Sequence, residues 1–217
     1  KAIGVLHNLI VAHKETYEII HEKYPKARVG FSQILNYFEP VHPWIPLEWF
    51  FSKMSHFFWN HYFLFLVKGK LDYIGFSYYF HNKIVWNPPF VEQPTENLTD
   101  LKWEIYPEGI YHMLKYLKKF KKPILILENG LADASDKKRA DFIKEHLRWI
   151  HKAIKEGVKV KGYFHWSLID NFEWKDGFYM KFGLIEVNYK TMKRKPRESA
   201  SVYAKIAKDN SLIIEES

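Results

Sequence analysis

The sequence predicts an α/β protein with a parallel sheet, built like half of a closed eight-stranded barrel. Three observations carry that expectation. Apolar runs of strand character alternate with helical periodicities along the whole chain. The strand starts lie near residues 28, 72, 123 and 160, so each unit takes roughly 45 residues. A closed eight-stranded α/β barrel of such units needs about twice this chain.

Residues 1 to 24 place Leu6, Ile10, His13, Tyr17 and Ile20 on one helical face, and Pro25 ends that helix. Residues 27–35 then read as a strand. A very aromatic helix is expected over 47–68, carrying Trp49, Phe50, Phe57, Phe58, Trp59, Tyr62 and Phe63. Residues 72–79 form the second strand, followed by a long loop marked by prolines at 88, 89 and 94. Pro107 opens the next helix, with Ile110, Leu114 and Leu117 on its buried face. The third strand is P-I-L-I-L-E-N-G at 123–130. Ile143, Leu147, Ile150 and Ile154 mark a further helix that stops at Gly157. The fourth strand covers 160–167, a hairpin 183–194, and a last helix 197–208.

Composition removes several function classes. Hydrophobic residues make up 47% of the chain, too many for a disordered protein, and zero cysteines exclude disulfides and thiolate chemistry. That fits a cytoplasmic protein. No apolar run approaches the roughly 20 residues of a membrane span, and nothing at the start resembles a signal peptide. The net charge of +8 is dispersed, its densest patches at 115–122 and 190–195, so no nucleic-acid partner is expected. The chain begins at Lys1 rather than methionine, and a piece of something longer is expected. Aromatic residues reach 18%, and flat side chains with polar edges suit sugar sites as well as cores.

The residues suited to chemistry gather at the C-terminal ends of the expected strands, the face that holds active sites in α/β barrels. Tyr78 and Tyr79 close the second strand, Glu128 the third and Trp166 the fourth. An unbroken Ile/Leu run suits a strand covered on both faces, with no place for a charge except at its mouth. The loop W-S-L-I-D-N-F-E-W at 166–174 adds two tryptophans, an acidic pair and an asparagine. Such a set can stack a sugar ring and grip its hydroxyls.

These motifs carry a family resemblance. Glu128-Asn129-Gly130 followed by W-S-L-I-D-N-F-E-W resembles glycoside hydrolase family 1, the β-glucosidase and β-galactosidase family. D-Y-I-G-F-S-Y-Y at 72–79, W-E-I-Y-P-E-G-I at 103–110 and F-G-L-I-E-V-N-Y at 182–189 fit the same pattern. The order matches that family's second half along nearly all of residues 1–217, which are read as one C-terminal half-barrel. The resemblance implies a (β/α)8 TIM-barrel type fold and a retaining enzyme acting on β-linked glycosides, with two carboxyls about 5 to 5.5 Å apart. It implies Glu128 as nucleophile and Tyr79 as the hydroxyl that keeps it ionised. Trp166 is implied as the platform beneath the sugar, and Glu173 and Trp174 as binders of the hydroxyls far from the scissile bond. Trp103 is implied to face the leaving group and Phe182 to form a wall. No cofactor or metal is expected.

The sequence also departs from the family pattern. Leu127 stands where threonine usually precedes the nucleophile, Ser77 where asparagine is usual, and Lys181 where arginine is usual. The acid/base glutamate belongs to an Asn-Glu-Pro motif on a strand preceding this chain's first helix. Asn36-Tyr37-Phe38-Glu39-Pro40 imitates that motif but follows the wrong strand. On bare chemistry Glu173 is another candidate acid. The expected partners are a β-linked glycoside and either the missing N-terminal half-barrel or a second copy, because the outer strands should be left with bare edges. A non-catalytic sugar-binding half-barrel and a self-associating fragment are the competing readings.

Overall fold

The structure is a computed structural model and describes residues 2–212; Lys1 and residues 213–217, which the single-domain reading also takes in, lie outside them. Helix α1 (Ala2–Lys23) leads to β1 (Ser32–Pro40), α2 (Pro46–His56), a π-helical turn (Phe57–His61) and α3 (Tyr62–Val67). Then come β2 (Ile74–Ile84), a two-residue β3 (Val91–Glu92), α4 (Glu108–Leu117), β4 (Ile124–Asn129), α5 (Arg139–Lys155) and β5 (Val160–His165). The hairpin β6 (Ile185–Asn188) and β7 (Lys193–Pro196) precedes α6 (Glu198–Asp209).

The order β1-β2-β4-β5 is parallel throughout, so the first and fourth expected strands are the outer ones. β3 adds an antiparallel pair at the far end of β2. One face of the sheet is covered: Leu35, Phe76, Ile124 and Ile126 pack against Ile110, Leu114 and Leu117 of α4 and Ile150 and Ala153 of α5. Packing of that apolar face, more than helix propensity, fixes these helices.

Four expectations are corrected. The 123–130 run is not covered on both faces: Ile124 and Ile126 are buried under the helices, while Leu125 and Leu127 are half-buried on the other face. The first strand lies several residues later than expected. Val29 is bonded through both main-chain groups to Asp72, ahead of β2, and the ladder starts only beyond it. Residues 36–40 then continue the strand because β2 runs on to Ile84 beside them. The helix at 47–68 is interrupted by the π-turn, and the loop after β2 is partly strand. Pairing partners supplied these extensions, and local pattern does not show partners.

Candidate active site

A bulge places the central carboxylate. Along β4 and β2, Phe76 pairs with Ile126 but Ser77 pairs with Glu128, so Leu127 is an extra residue. Strict alternation would have put Glu128 on the helix side with Ile124 and Ile126. The inserted residue turns it to the face of Ser77 and Tyr79, a re-aiming that bulges commonly perform beside sites. Leu127 itself lies against Gly75, where a Cβ would meet its Cδ1 at 2.5 Å.

Tyr79 donates its hydroxyl to Glu128 Oε2 at 3.1 Å. Burial, and then the Glu128 charge, push the Tyr79 hydroxyl far above its ordinary range, so it stays a donor at any working pH. Asn129 locks the next position. Its buried amide donates to Tyr78 O at 2.8 Å on β2 and accepts from the Tyr163 hydroxyl at 3.0 Å on β5. Gly130 is required by close approach: a Cβ there would lie 1.8 Å from Trp166 O. Gly130→Ala therefore forces β4 away from the Trp166 backbone. A stability loss of at least about 1–3 kcal/mol is expected, checked by urea unfolding.

The Trp166 loop is tied to the same corner. Trp166 N–H donates to Asn129 O at 2.9 Å, and the Trp166–Ser167 peptide is cis. Asp170, expected among the sugar-facing residues, is instead buried. Its carboxylate accepts from Gly183 N–H at 2.9 Å and pairs with both terminal guanidinium nitrogens of Arg197 at 3.0 Å. Asn171 is likewise occupied within the loop, donating to Ser167 Oγ at 3.1 Å. Glu173 remains half-buried and facing the site. Burial raises its pKa, with Asp176 and Glu128 adding to the rise, while a hydrogen bond with the Trp166 side chain opposes it. Glu128, Trp166 and Glu173 are thus brought into one electrostatic neighbourhood. Trp174 stands 81% exposed on the rim.

The Trp103 ring packs 4.7 Å from Phe80, 5.8 Å from Tyr79 and 6.2 Å from Phe182, closing one side. Phe182 is buried, and its carbonyl accepts from Ser167 N–H at 3.1 Å. Ser77 is buried with its Oγ 3.5 Å from Ser32 Oγ, and Lys181 reaches the Phe178 carbonyl. Glu39 lies elsewhere. It pairs with Lys83, six residues beyond Ser77 on β2, roughly 20 Å along the strand at about 3.3 Å per residue. His81 bridges it to Glu104, and the His81 bond holds the Glu39 carboxyl below its usual range, the opposite of what a proton donor needs.

Tyr163 and Arg197 were not read as site residues from the sequence, and Asn129 was read only as part of the Glu-Asn-Gly motif. Asp170 was read among the sugar-facing residues because its partner, Arg197, lies 27 positions away.

Residues 53–212 match the family model described as Glycosyl hydrolase family 1. The chain belongs to that family. β-Glucosidase A of Thermotoga maritima is 32% identical over 258 residues, covering 97% of this chain and 57% of that relative. A β-galactosidase of Sulfolobus acidocaldarius is 36% identical over 67% of this chain and 33% of the relative. Among solved structures, a β-glycosidase from Pyrococcus horikoshii is similar with a TM-score of 0.89 at 35% identity, covering 98% of this chain and 55% of that one. The Thermotoga maritima β-glucosidase in complex with glucoimidazole gives 0.87 at 31% identity, covering 96% and 57%. The family 1 chain spans about half the length of most of these relatives. Its four parallel βα units are about half of a (β/α)8 barrel. Among the described residues no helix is long and apolar enough to cross a membrane.

Proposed function

We propose that this family 1 chain forms the nucleophile-bearing half of a retaining β-glycosidase that hydrolyses β-linked glycosides. The observation that carries the reading is the Tyr79–Glu128 hydrogen bond at a strand mouth, beside Trp166 and Glu173. Glu128 attacks the anomeric carbon as the glycosidic C–O bond breaks, and a second carboxylic acid protonates the departing oxygen. That second group, now a carboxylate, takes a proton from water as the water oxygen replaces Glu128 on the sugar. Trp166 carries the ring, Glu173 and Trp174 the distal hydroxyls, and Trp103 with Phe182 the leaving-group side. The acid is supplied by the complementary half-barrel, and residues 1–217 act as a single half. The names of the relatives, β-glucosidase and β-galactosidase, support the substrate class.

A 2-deoxy-2-fluoro glycoside with a good leaving group tests this directly, given to the chain together with the complementary segment of the Thermotoga maritima relative. Peptide mass mapping should find the sugar ester on Glu128; an ester on another carboxylate with Glu128 free overturns the assignment. Tyr79→Phe should slow labelling by roughly 10- to 100-fold, the value of about 1.5–3 kcal/mol for a hydrogen bond to a charged group. An unchanged rate would remove Tyr79 from the mechanism.

A second reading has Glu173 as the acid, favoured by its raised pKa next to Glu128. The two roles separate in one variant. Glu173→Gln as a lost hydroxyl-binding group weakens sugar binding for every leaving group alike. As a lost acid it abolishes cleavage of alkyl glycosides and spares dinitrophenyl glycosides. The raised pKa also sets a pH dependence. Glu173 gains its proton at higher pH than an ordinary glutamate, so a neutral sugar lactam should lose affinity on acidification, starting above the usual carboxylate range. Calorimetric titration of Glu173→Gln should show that limb flattened.

A further inference from the structure

The loop between β3 and α4 clasps β2 at two places. Tyr79 is an extra residue of β2 against β1, since Leu35 pairs with Tyr78 and Asn36 with Phe80. Tyr79 and Phe80 both meet the Trp103 ring, while Tyr78 and His81 both meet Tyr106. The Tyr78 hydroxyl donates to Tyr106 O at 2.9 Å, and the His81 ring stacks on the Tyr106 ring at 3.9 Å. Glu104 stands between the two contacts in the chain. Within the loop, Thr99 N–H donates to Trp103 O at 2.9 Å and Trp103 N–H donates to Thr99 Oγ1 at 3.1 Å. Those bonds hold the turn together without attaching it to the sheet.

The attachment beside Trp103 is ionic. His81 Nδ1 lies 2.7 Å from Glu104 Oε2, and Lys83 Nζ lies 3.1 Å from Glu104 Oε1. On the other side of the ring, His81 Nε2 lies 2.8 Å from Glu39 Oε1 on β1. The His81 side chain is fully buried, so solvent is kept from both nitrogens. An ionised carboxylate only accepts, and a neutral imidazole has a single donor, so two carboxylates on one ring require both nitrogens to donate. The His81 bond holds the Glu39 carboxyl below its usual range, and the Lys83 ammonium favours the ionised form of Glu104. The proton therefore belongs to the ring, and a buried cation of this kind is tolerated because it is paired. The charged and titratable groups around it are Glu39 and Tyr37 on β1, Lys83 on β2, Glu104 and Tyr106 on the loop, and Glu108 and His112 on α4. Three carboxylates in that set face Lys83 and the two histidines, which favours a positive ring.

We propose that His81, as an imidazolium bridging Glu39 and Glu104, is a positioning residue that holds Trp103 against Tyr79 and Phe80 and so shapes the leaving-group side of the site. Its part in the reaction rests on Trp103 facing the leaving group, as proposed above; the brace itself does not. Glu39, the imitator of the acid motif, serves as a fixed anion. Loss of the ring proton leaves one nitrogen facing a carboxylate with no hydrogen between them. The brace is complete while the ring is protonated and is lost as pH rises through its titration, so Trp103 loosens on the alkaline side.

The indole N–H resonance of Trp103, identified by its absence in Trp103→Phe, reads the brace in the 217-residue chain without substrate. In the wild type it should move together with the His81 ring resonances as pH is raised between about 5 and 9. His81→Gln cannot bridge both acids as a cation, and should hold Trp103 near its alkaline position at every pH. Glu104→Gln should flatten the response in the same way, and decides the matter should the buried His81→Gln not fold. Joined with the complementary half of the Thermotoga maritima relative, both variants should raise KM for aryl glycosides by roughly tenfold, the lower end for a hydrogen bond to a charged group. Hydrolysis of the glycosyl-enzyme, after the leaving group has gone, should keep its rate. A Trp103 resonance insensitive to pH in the wild type, or unmoved by the variants, overturns the proposal. A moved resonance with unchanged KM overturns its place on the leaving-group side. A Trp103 that responds while the joined wild type cleaves no glycoside supports the brace and sinks the glycosidase reading instead.

Discussion

Glu128→Ala should lower turnover of nitrophenyl glycosides by at least about three orders of magnitude in a preparation joined with the complementary half of a relative. The change deletes the atom that forms the covalent bond, so no partial route through the glycosyl-enzyme remains. Azide should restore part of the rate with activated substrates. It can enter the vacated space, attack the anomeric carbon and leave a glycosyl azide of inverted configuration. Loss of activity with no azide product would point to a folding defect, which the unfolding curve resolves. Turnover within tenfold of wild type would show that Glu128 is not the nucleophile.

Asp170→Ala should cost about 3–5 kcal/mol in a urea titration, the typical cost of removing one partner of a buried ion pair. The Asp170 side chain is fully buried and that of Arg197 nearly so, and the alanine leaves the guanidinium and Gly183 N–H without their acceptor. The lost bonds span the Trp166 loop, the start of β6 and the start of α6, so sugar binding should fall with stability. Removing both charges, as Asp170→Asn with Arg197→Met, should cost less than the two single changes added together. Additive costs would mean that the two groups are not coupled and that the contact contributes little.

The contrast between Glu128 and Asp170 shows what the sequence could and could not reveal about this site. Glu128 ends an apolar run beside Asn-Gly, and a carboxylate there has few structural uses, so its place at a strand mouth was readable. Its facing was not. Counting alternate residues from Ile124 and Ile126 sends it to the helix side, and only the register between β4 and β2 shows the extra residue that turns it round. Asp170 sits among tryptophans and an asparagine and reads as a sugar ligand. Its geometry reverses that, because Arg197 and Gly183 are brought to it by the hairpin and α6. Tyr203 similarly reads as one aromatic residue of an amphipathic helix, with no hint that its hydroxyl donates to Tyr163 O on β5.

The alternation of apolar strand runs with helical periodicities by itself determined an α/β chain, its parallel sheet and the half-barrel count. Burial of one helix face or one strand run depends on nearby residues, and that information is local. The motif strings also determined the family, because W-S-L-I-D-N-F-E-W and its companions are long enough to be specific. The tertiary structure alone decided where β1 begins and ends, that β4 bulges at Leu127, which acid faces the cleft, and which side chain meets the Asn36 main chain. Each of those outcomes depends on a partner far along the chain: Asp72 for Val29, Ser77 for Glu128, Arg197 for Asp170 and Asn60 for Asn36. A buried polar group is fixed by whichever donor or acceptor folding brings within reach, and no local periodicity records that distance.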